Sequence, residues 1–430
     1  MNLYPPSAPM SAPPEPSGRR LLIVPTYLRG FGGVERWLTI LVDLAVQAGW
    51  AVTVAPPRRL EASAPRLVEA TACAEVVSAE SAWRRTARGR AWRAGALARS
   101  VVRDRRVPDR ARRETLAADR ARPFFDRFWD RQGRALLREA DVVHVIASHP
   151  FGARAIGAAG RLGVPVLYNE TQYLTPPYAA DPYHQPFRDV LGSIDAVVAH
   201  GVDEAAKFRR CYGYEGPVSV IDQWIDPSSE ARLLAIAHRA PRPPGAPLRV
   251  GSVSRLAEVK RLRTLVDAVA AVAAEGLDVQ LVIAGEGPSR DELEAAAAAH
   301  GIADRVELPG FVPEEDMTAF YASIDVFALS SAEEGGPLTC LEAMAAGCAI
   351  VSTPVGAMPD RVVEGESGLF FPIGDVARLA EHLGRLCRDP ALSARLGAAA
   401  RASFRHRNAA AVQSAALAAI WDDVANRRRC

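Results

Sequence analysis

Two glutamates, Glu334 and Glu342, stand with seven residues between them in the segment EEGGPLTCLEAMAAGC, and Gly335, Gly336 and Pro337 directly follow the first. Two carboxylates this close in sequence invite a general acid and a general base, as in glycoside hydrolysis. The residues between them point elsewhere. Pro337 suits the first position of a helix, where its missing N–H is not needed. A helix starting there leaves Gly335 and Gly336 in a loop whose bare backbone can approach a ligand, and it turns unpaired amides near Leu338 and Thr339 toward that ligand. Such a terminus attracts phosphate. Glu342 then lies inside the helix beyond its first turn and Glu334 before it, so both can face one small ligand. A carboxylate can accept two hydroxyl protons of a sugar or ribose at once. Each glutamate alone has an ordinary explanation: an acid before a helix favours its dipole, and a mid-helix Glu is normally solvated.

Arg255 and Lys260 follow the apolar stretch VGSVS. Together they can neutralise a diphosphate, Arg by a bidentate fork and Lys as a point charge. Either alone would be a surface residue paired with Glu258 or with solvent. The segment AGEGP puts Gly285 and Gly287 in a turn after another apolar run, without the third glycine of a dinucleotide fingerprint.

The elements that must position these residues are legible as apolar runs. LLIVPTY, a glycine loop, RWLTILVDLAVQAG and WAVTVAPP form a βαβ pattern. ADVVHVIAS, VPVLYNE and DAVVAHG continue it as buried parallel strands covered on both faces. RAPRPPGAP at 239–247 breaks the pattern in the manner of a linker. A second α/β series then runs through LRVGSVSRL, KRLRTLVDAVAAVAAEG, VQLVIAGEGPSRDELEAAAAAHG, EEDMTAFYASI, DVFALSS and AIVSTPVG. The expectation is α/β: two doubly wound parallel sheets facing each other, with ligands beyond the carboxyl ends of the strands and in a cleft between domains.

The whole chain sets wider bounds. Its 430 residues exceed what one core supports, which also predicts two domains. A net charge of +2 with 24% charged residues argues against a nucleic-acid partner and against general disorder. Six cysteines are scattered without metal-ligand or disulfide spacing, which fits a reducing cytoplasm. The opening MNLYPPSAPMSAPPEPSGRR has no signal-peptide core, and residues 1–19 read as a disordered tail. No run of about eighteen apolar residues predicts a membrane span. Residues 81–139 are dense in arginine and carry Trp83, Trp92 and Trp129. They are compatible with a helical hairpin packed on the first domain, which the interspersed acids favour, or with a basic aromatic face on an anionic bilayer or acceptor. Nucleic-acid binding is the weakest of the readings.

Four segments occur in order: GGVERW, SRLAEVK, AGEGP with LPGFV, and EEGGPLTCLEAMAAGCAIVSTPVGAMPDRV followed by GLFFPIGD. The chain thereby resembles the retaining glycosyltransferases of family 4, which have the GT-B fold of two facing Rossmann-like domains. The likeness is close over 248–380 and looser over 20–240. It implies that Glu342 binds the nucleotide ribose and that Glu334, with the backbone of Gly335 to Pro337, meets the donor sugar. Arg255 and Lys260 would hold the donor diphosphate, the Leu338 and Thr339 amides would help at the phosphates, and Gly310 to Val312, with Phe311, would border the base. Gly285 and Gly287 fall among the donor loops, and Gly32 and Gly33 in the loop closing the cleft from the acceptor side. No metal or other cofactor is expected. A histidine is expected in or after the strand DVVHVIASHP, where His144 and His149 both qualify; a His inside a strand is ordinarily packed in the core, which favours His149. The segments IDQWID and YNETQY depart from the family pattern where acceptors bind.

SAALAAIWDDVA resembles the terminal helix that returns to the first domain, with Trp421 as its anchor. The implied domains are 20–240 completed by 405–430, a linker at 241–247, and 248–404. The implied function is transfer of a sugar from a nucleotide sugar to a glycan, lipid-linked or other hydroxyl acceptor in bacterial surface-polysaccharide or glycoconjugate assembly. A cytoplasmic location follows, with residues 81–139 as the part that would touch the inner face of the plasma membrane. The rivals are a sugar-nucleotide-binding scaffold that lost turnover, and a soluble synthase or phosphorylase on the same fold. Neither glutamate is expected to be the proton-transfer group.

Overall fold

Uninterrupted apolar runs leave no polar face for water, so they favour parallel strands buried on both sides. The computed structural model describes residues 18–25, 33–57, 73–79, 125–146, 149–170, 181, 184–237, 241–243 and 245–427. Among the described residues its strands pair only in parallel. The first sheet contains β1 (Arg20–Pro25), β2 (Ala51–Val54), β3 (Glu75–Val76), β4 (Val142–Ile146), β5 (Val166–Asn169), β6 (Ala196–Ala199) and β7 (Val218–Val220), in the order β3-β2-β1-β4-β5-β6-β7. The second contains β8 (Leu248–Val253), β9 (Val279–Ala284), β10 (Val306–Gly310), β11 (Val326–Leu329), β12 (Ala349–Ser352) and β13 (Gly368–Phe370), in the order β10-β9-β8-β11-β12-β13. Both orders reverse at their first strand, as in Rossmann-like sheets.

Alternation along the strands fills two faces of each sheet. Val326 and Ala328 of β11 join one cluster with Leu265, Val269 and Leu383. Phe327 and Leu329 join another with Tyr321, Leu341 and Phe404. In the first sheet Leu22 and Val24 pack with Val143 and Val145, while Ile23 and His144 are register partners of opposite facing.

The helices that bear on function are α1 (Gly33–Gln47), α2 (Pro150–Leu162), α3 (Pro227–Leu234), α4 (Glu314–Ser323), α5 (Leu338–Ala345), α6 (Met358–Arg361), α7 (Pro390–Ser403) and α8 (Ala410–Arg427). Of the arginine-rich stretch, residues 81–124 lie outside the described residues, with Trp83 and Trp92. The part that follows packs inward: Phe125, Phe128 and Trp129 are buried in the first unit's core, and Trp129 Nε1 donates to Phe151 O at 3.1 Å.

Contacts divide the chain into Met1–Ala199, Ala205–Val220 and Ala416–Cys430 on one side and His200–Glu204 with Ile221–Ala415 on the other. The expected boundary at 241–247 is therefore corrected: the change of unit comes at Val220, well before the prolines. The reason is packing that composition does not reveal. Ile225 and Leu233 are buried in the second unit's core. α3 starts on an Asp226 cap, whose carboxylate accepts from the amides of Ser228 at 2.9 Å and Ser229 at 3.1 Å, with Pro227 in the first turn. Arg401 of α7 donates to Ile236 O at 2.9 Å beyond its end.

Within the first unit, Trp421 of α8 is fully buried. Its Nε1 donates to His144 Nδ1 at 3.2 Å, and its ring meets Trp50 edge-on at 6.3 Å. Trp421→Ala should destabilise this unit by about 3–5 kcal/mol, read from chemical denaturation curves. A second expectation concerns His200, whose Nδ1–H donates to Ile221 O at 2.9 Å. Burial pushes this imidazole down from 6.5 to about 4, and the Ile221 carbonyl and Asp222 offset only part of that. The folded state thus refuses a proton that the unfolded chain accepts. The stability this histidine contributes is complete above pH 6.5 and is lost as pH falls toward 4, by about 3 kcal/mol. His200→Asn should flatten that part of the pH–stability curve measured by urea denaturation, and parallel curves would contradict it.

Candidate functional site

The loops after β8 and β11 emerge side by side where the second sheet's strand order reverses, the position at which open α/β sheets form a crevice. After β8 the chain makes a 3-10 turn at Glu258–Lys260, closed by Arg261 with a left-handed φ of 50°. Lys260 does not pair with Glu258 or with solvent. Its Nζ lies 2.6 Å from Glu334 Oε1, with the two side chains only 17% and 12% exposed. Ser331 Oγ donates to the same carboxylate oxygen at 2.6 Å, and Ser330 Oγ donates to Lys260 O at 2.8 Å. Ala332 N donates to Val259 O at 2.8 Å. The two loops are thus joined by a backbone bond, two serines and an ion pair. Arg255, on the same loop, is exposed and has no ion-pair partner among the described residues.

α5 begins at Leu338, and Pro337 is its N-cap, with φ −64° and ψ 113°. The expected first helical position for Pro337 is corrected by one residue because its ψ is extended. Pro337 O accepts from Cys340 N at 3.2 Å, and no side chain caps the end. The amides of Leu338 and Thr339 therefore open the helix, as an anion site requires. Glu342 is not a solvated mid-helix acid: it is 4% exposed, and Tyr321 of α4 donates its hydroxyl to Oε2 at 2.8 Å. Phe311 is 63% exposed, next to Gly310 with φ 82°.

Gly285 and Gly287 have a reason that needs no ligand. A Cβ at Gly285 would overlap Ser254 O, and one at Gly287 would overlap Leu256 O. Leu256 N donates to Glu286 O at 2.9 Å, so these glycines let the loop after β9 pack backbone to backbone against the loop carrying Arg255.

Residues 236–403 match the family described as glycosyl transferases group 1, and this stretch contains Arg255, Lys260, Glu334, α5 and Glu342. It is a glycosyl transferases group 1 domain. Among curated relatives, a 2-deoxystreptamine glucosyltransferase of Streptomyces kanamyceticus is 33% identical over 178 residues, 40% of this chain and 46% of its own length. A putative colanic acid biosynthesis glycosyltransferase, WcaL, of Salmonella typhimurium is 35% identical over 162 residues, 36% of this chain and 40% of its own. The chain thus matches less than half the length of either. Two solved structures share the fold over 94% of the chain: Anabaena Alr3699/HepE in complex with UDP, with TM-score 0.66 and 17% identity over 100% of its length, and sucrose-phosphate synthase of Thermosynechococcus elongatus, with 0.69 and 18% over 99%. The architecture is accordingly of the GT-B type.

Outside the group 1 domain, the first unit carries the remaining candidates. Gly32 lies outside the described residues, and Gly33 opens α1. His149 caps α2: its Nδ1 accepts from Phe151 N at 3.0 Å, which assigns the ring proton to Nε2, and its ring meets Phe125 edge-on at 5.9 Å. His144 is fully buried against Trp421. In YNETQY, Asn169 Oδ1 accepts from Trp37 Nε1 at 2.9 Å and Glu170 is buried, while residues 171–173 lie outside the described residues. IDQWID belongs instead to the second unit, where Trp224 is buried and Asp226 caps α3.

Sequence reasoning missed Ser331, Tyr321 and Arg361. Tyr321 carries a signal of a kind, a tyrosine on a helix preceding a buried strand, and its hydroxyl needs a partner once buried. Tyr321→Phe leaves the buried Glu342 without that donor and should cost about 1–3 kcal/mol, measured as a lowered unfolding midpoint of the group 1 domain in the full chain.

Proposed function

We propose that the protein is a retaining glycosyltransferase of the family 4 type, which moves a sugar from a nucleotide-sugar donor to a hydroxyl of a glycan, lipid-linked or other acceptor. The single observation that carries this reading is the contact of Lys260 with Glu334 at the strand reversal, beside the uncapped end of α5. A cation, a carboxylate and open amides are then supplied by two adjoining loops and the helix start that follows one of them. Lys260, Arg255 and the amides of Leu338 and Thr339 meet the diphosphate and stabilise it as it leaves. Glu342 takes the ribose hydroxyls, Phe311 borders the base, and Glu334 with Gly335 to Pro337 meets the donor sugar.

In the reaction, the bond from the anomeric carbon to the diphosphate oxygen breaks, and a bond from that carbon to the acceptor oxygen forms on the same face. The acceptor proton passes to a phosphate oxygen of the leaving group. Neither glutamate is asked to act as an acid or a nucleophile: Glu334 Oε1 is already engaged by Lys260 and Ser331, and Glu342 is held by Tyr321. In the first unit we assign His149, not His144, as the imidazole with a chemical role, because His144 is sealed against Trp421.

The relatives' names support the class of substrate: one transfers glucose to 2-deoxystreptamine, another is assigned to colanic acid biosynthesis, and a structure of the same fold holds UDP. Bacterial surface-polysaccharide or glycoconjugate assembly is the setting we infer. No described helix is long and apolar enough to cross a membrane. Peripheral contact through the arginine-rich stretch 81–139 would bring the enzyme to a lipid-linked acceptor.

The test uses the full chain with UDP-, GDP-, ADP- and dTDP-sugars and a bacterial lipid extract. Release of a nucleoside diphosphate is expected, and Glu342→Ala and Lys260→Ala should each slow it about 100- to 1,000-fold. Full turnover in both variants would overturn the site, whereas binding without release in the wild type would favour a scaffold.

A further inference from the structure

We propose that Arg361 is a positioning residue of the donor loop: buried with Asp222 behind Gly335 to Pro337, it holds the Pro337 carbonyl back so that the Leu338 amide faces the donor's diphosphate. This rests on the reading of the α5 end as the diphosphate site.

Arg361 ends α6, and its side chain is 0% exposed. Nε donates to Asp222 Oδ2 at 2.8 Å, Nη2 to Asp222 Oδ1 at 2.5 Å and Nη1 to Pro337 O at 2.8 Å. The Asp222 carboxylate is completed by Gln223 N at 2.7 Å and Asn408 Nδ2 at 2.5 Å. The donor loop rests on this pair and on the start of α6. Gly335 O accepts from Ala357 N at 2.8 Å. Gly356, with φ 55°, lies so close behind Glu334 O and Gly335 O that a Cβ there would overlap both. A Cβ at Gly336 would come within 3.0 Å of Arg361 Nη2 and 2.9 Å of Gln223 Oε1.

The consequence follows from peptide geometry. In a trans peptide the C=O of one residue and the N–H of the next point to opposite sides. With Pro337 O fixed on Arg361, the Leu338 amide points away from the guanidinium. With Gly335 O fixed on Ala357 N, the Gly336 amide points away from the start of α6. A buried ion pair adds little stability over apolar residues of the same volume, so a bond from Arg361 to one loop carbonyl is the contribution that an apolar side chain would lose.

Arg361→Lys keeps a cation for Asp222 but loses the planar fork that reaches Asp222 and Pro337 O together. Arg401, also buried and also bonded to backbone carbonyls, provides a matched control away from the loop as Arg401→Lys. Affinities for UDP, GDP, ADP and dTDP and for the matching nucleosides are measured by calorimetry on the full chain, with thermal unfolding in parallel. The wild type is expected to bind at least one diphosphate. Arg361→Lys should weaken that diphosphate about tenfold or more and leave the nucleoside unchanged, while Arg401→Lys lowers only the unfolding temperature. Wild-type diphosphate affinity in Arg361→Lys would overturn the proposal and leave the donor site standing. Binding of none of the four diphosphates by the wild type would instead overturn the donor site and the proposal with it. If Arg361→Lys does not fold, Gly336→Ala, which presses on Arg361 and Gln223 from the loop side, decides by the same selective loss or its absence.

Discussion

Every peptide unit carries a donor and an acceptor, so a loop that offers N–H groups to an anion must satisfy its carbonyls somewhere else. In residues 334–338 that second requirement shapes the surrounding structure. Gly335 O is taken by the backbone of Ala357 and Pro337 O by Arg361. An arginine can serve there, fully buried, only if a carboxylate balances it, and Asp222 supplies that carboxylate. Asp222 lies just beyond β7, which is why the chain must join the second unit at Ile221 and not at the proline-rich stretch. The cap at Asp226, the burial of Ile225 and Leu233 and the bonds from Arg401 fix the same segment from its other end.

The front of the loop solves a related electrostatic problem. A lysine mostly removed from water would be an expensive lone cation if nothing balanced it. Glu334 balances it at 2.6 Å. The pairing does not exhaust the lysine, because an ammonium group has three N–H donors and the carboxylate oxygen takes one. Ser331 Oγ donates to the same carboxylate oxygen, so Glu334 is held from its own loop as well as by Lys260.

Much of this was legible before any coordinates. The apolar runs gave the central strands because burial on both faces leaves an unmistakable composition, whereas β3, two exposed residues, carries no such signal. The donor loop was legible because glycines, a proline and two acids in one short segment have few structural explanations together. Its support was not: Arg361 in MPDRVV looks like any surface arginine, and nothing local says that it is buried on a partner far away in sequence. Gly285 and Gly287 show a different ambiguity, since a glycine required by a neighbouring backbone has the same appearance as one required by a ligand. The linker was misplaced because proline marks where the chain turns, while unit membership is set by long-range packing. Residues 81–124 and Gly32 fall outside the described residues, so their sequence readings stand where they began.

Both sheets reverse their order at the first strand, and in each the loops after the two strands flanking that reversal carry the residues first suspected of chemistry. In the second sheet these are Lys260 after β8 and Glu334 after β11. In the first they are Gly33 after β1 and His149 after β4. The shared topology explains the position and not the chemistry. The second reversal combines a cation, an acid and open amides, a set suited to a phosphate and a polyol. The first has its described histidine tied to the start of α2 by Phe151 N and flanked by Phe125. An imidazole whose Nδ1 accepts a backbone N–H keeps its proton on Nε2, and here the ring serves to start a helix. The shared strand reversal therefore carries an ion pair beside a helix start in one unit and a helix cap in the other: topology sets where polar side chains gather, and the local residues set what they bond to.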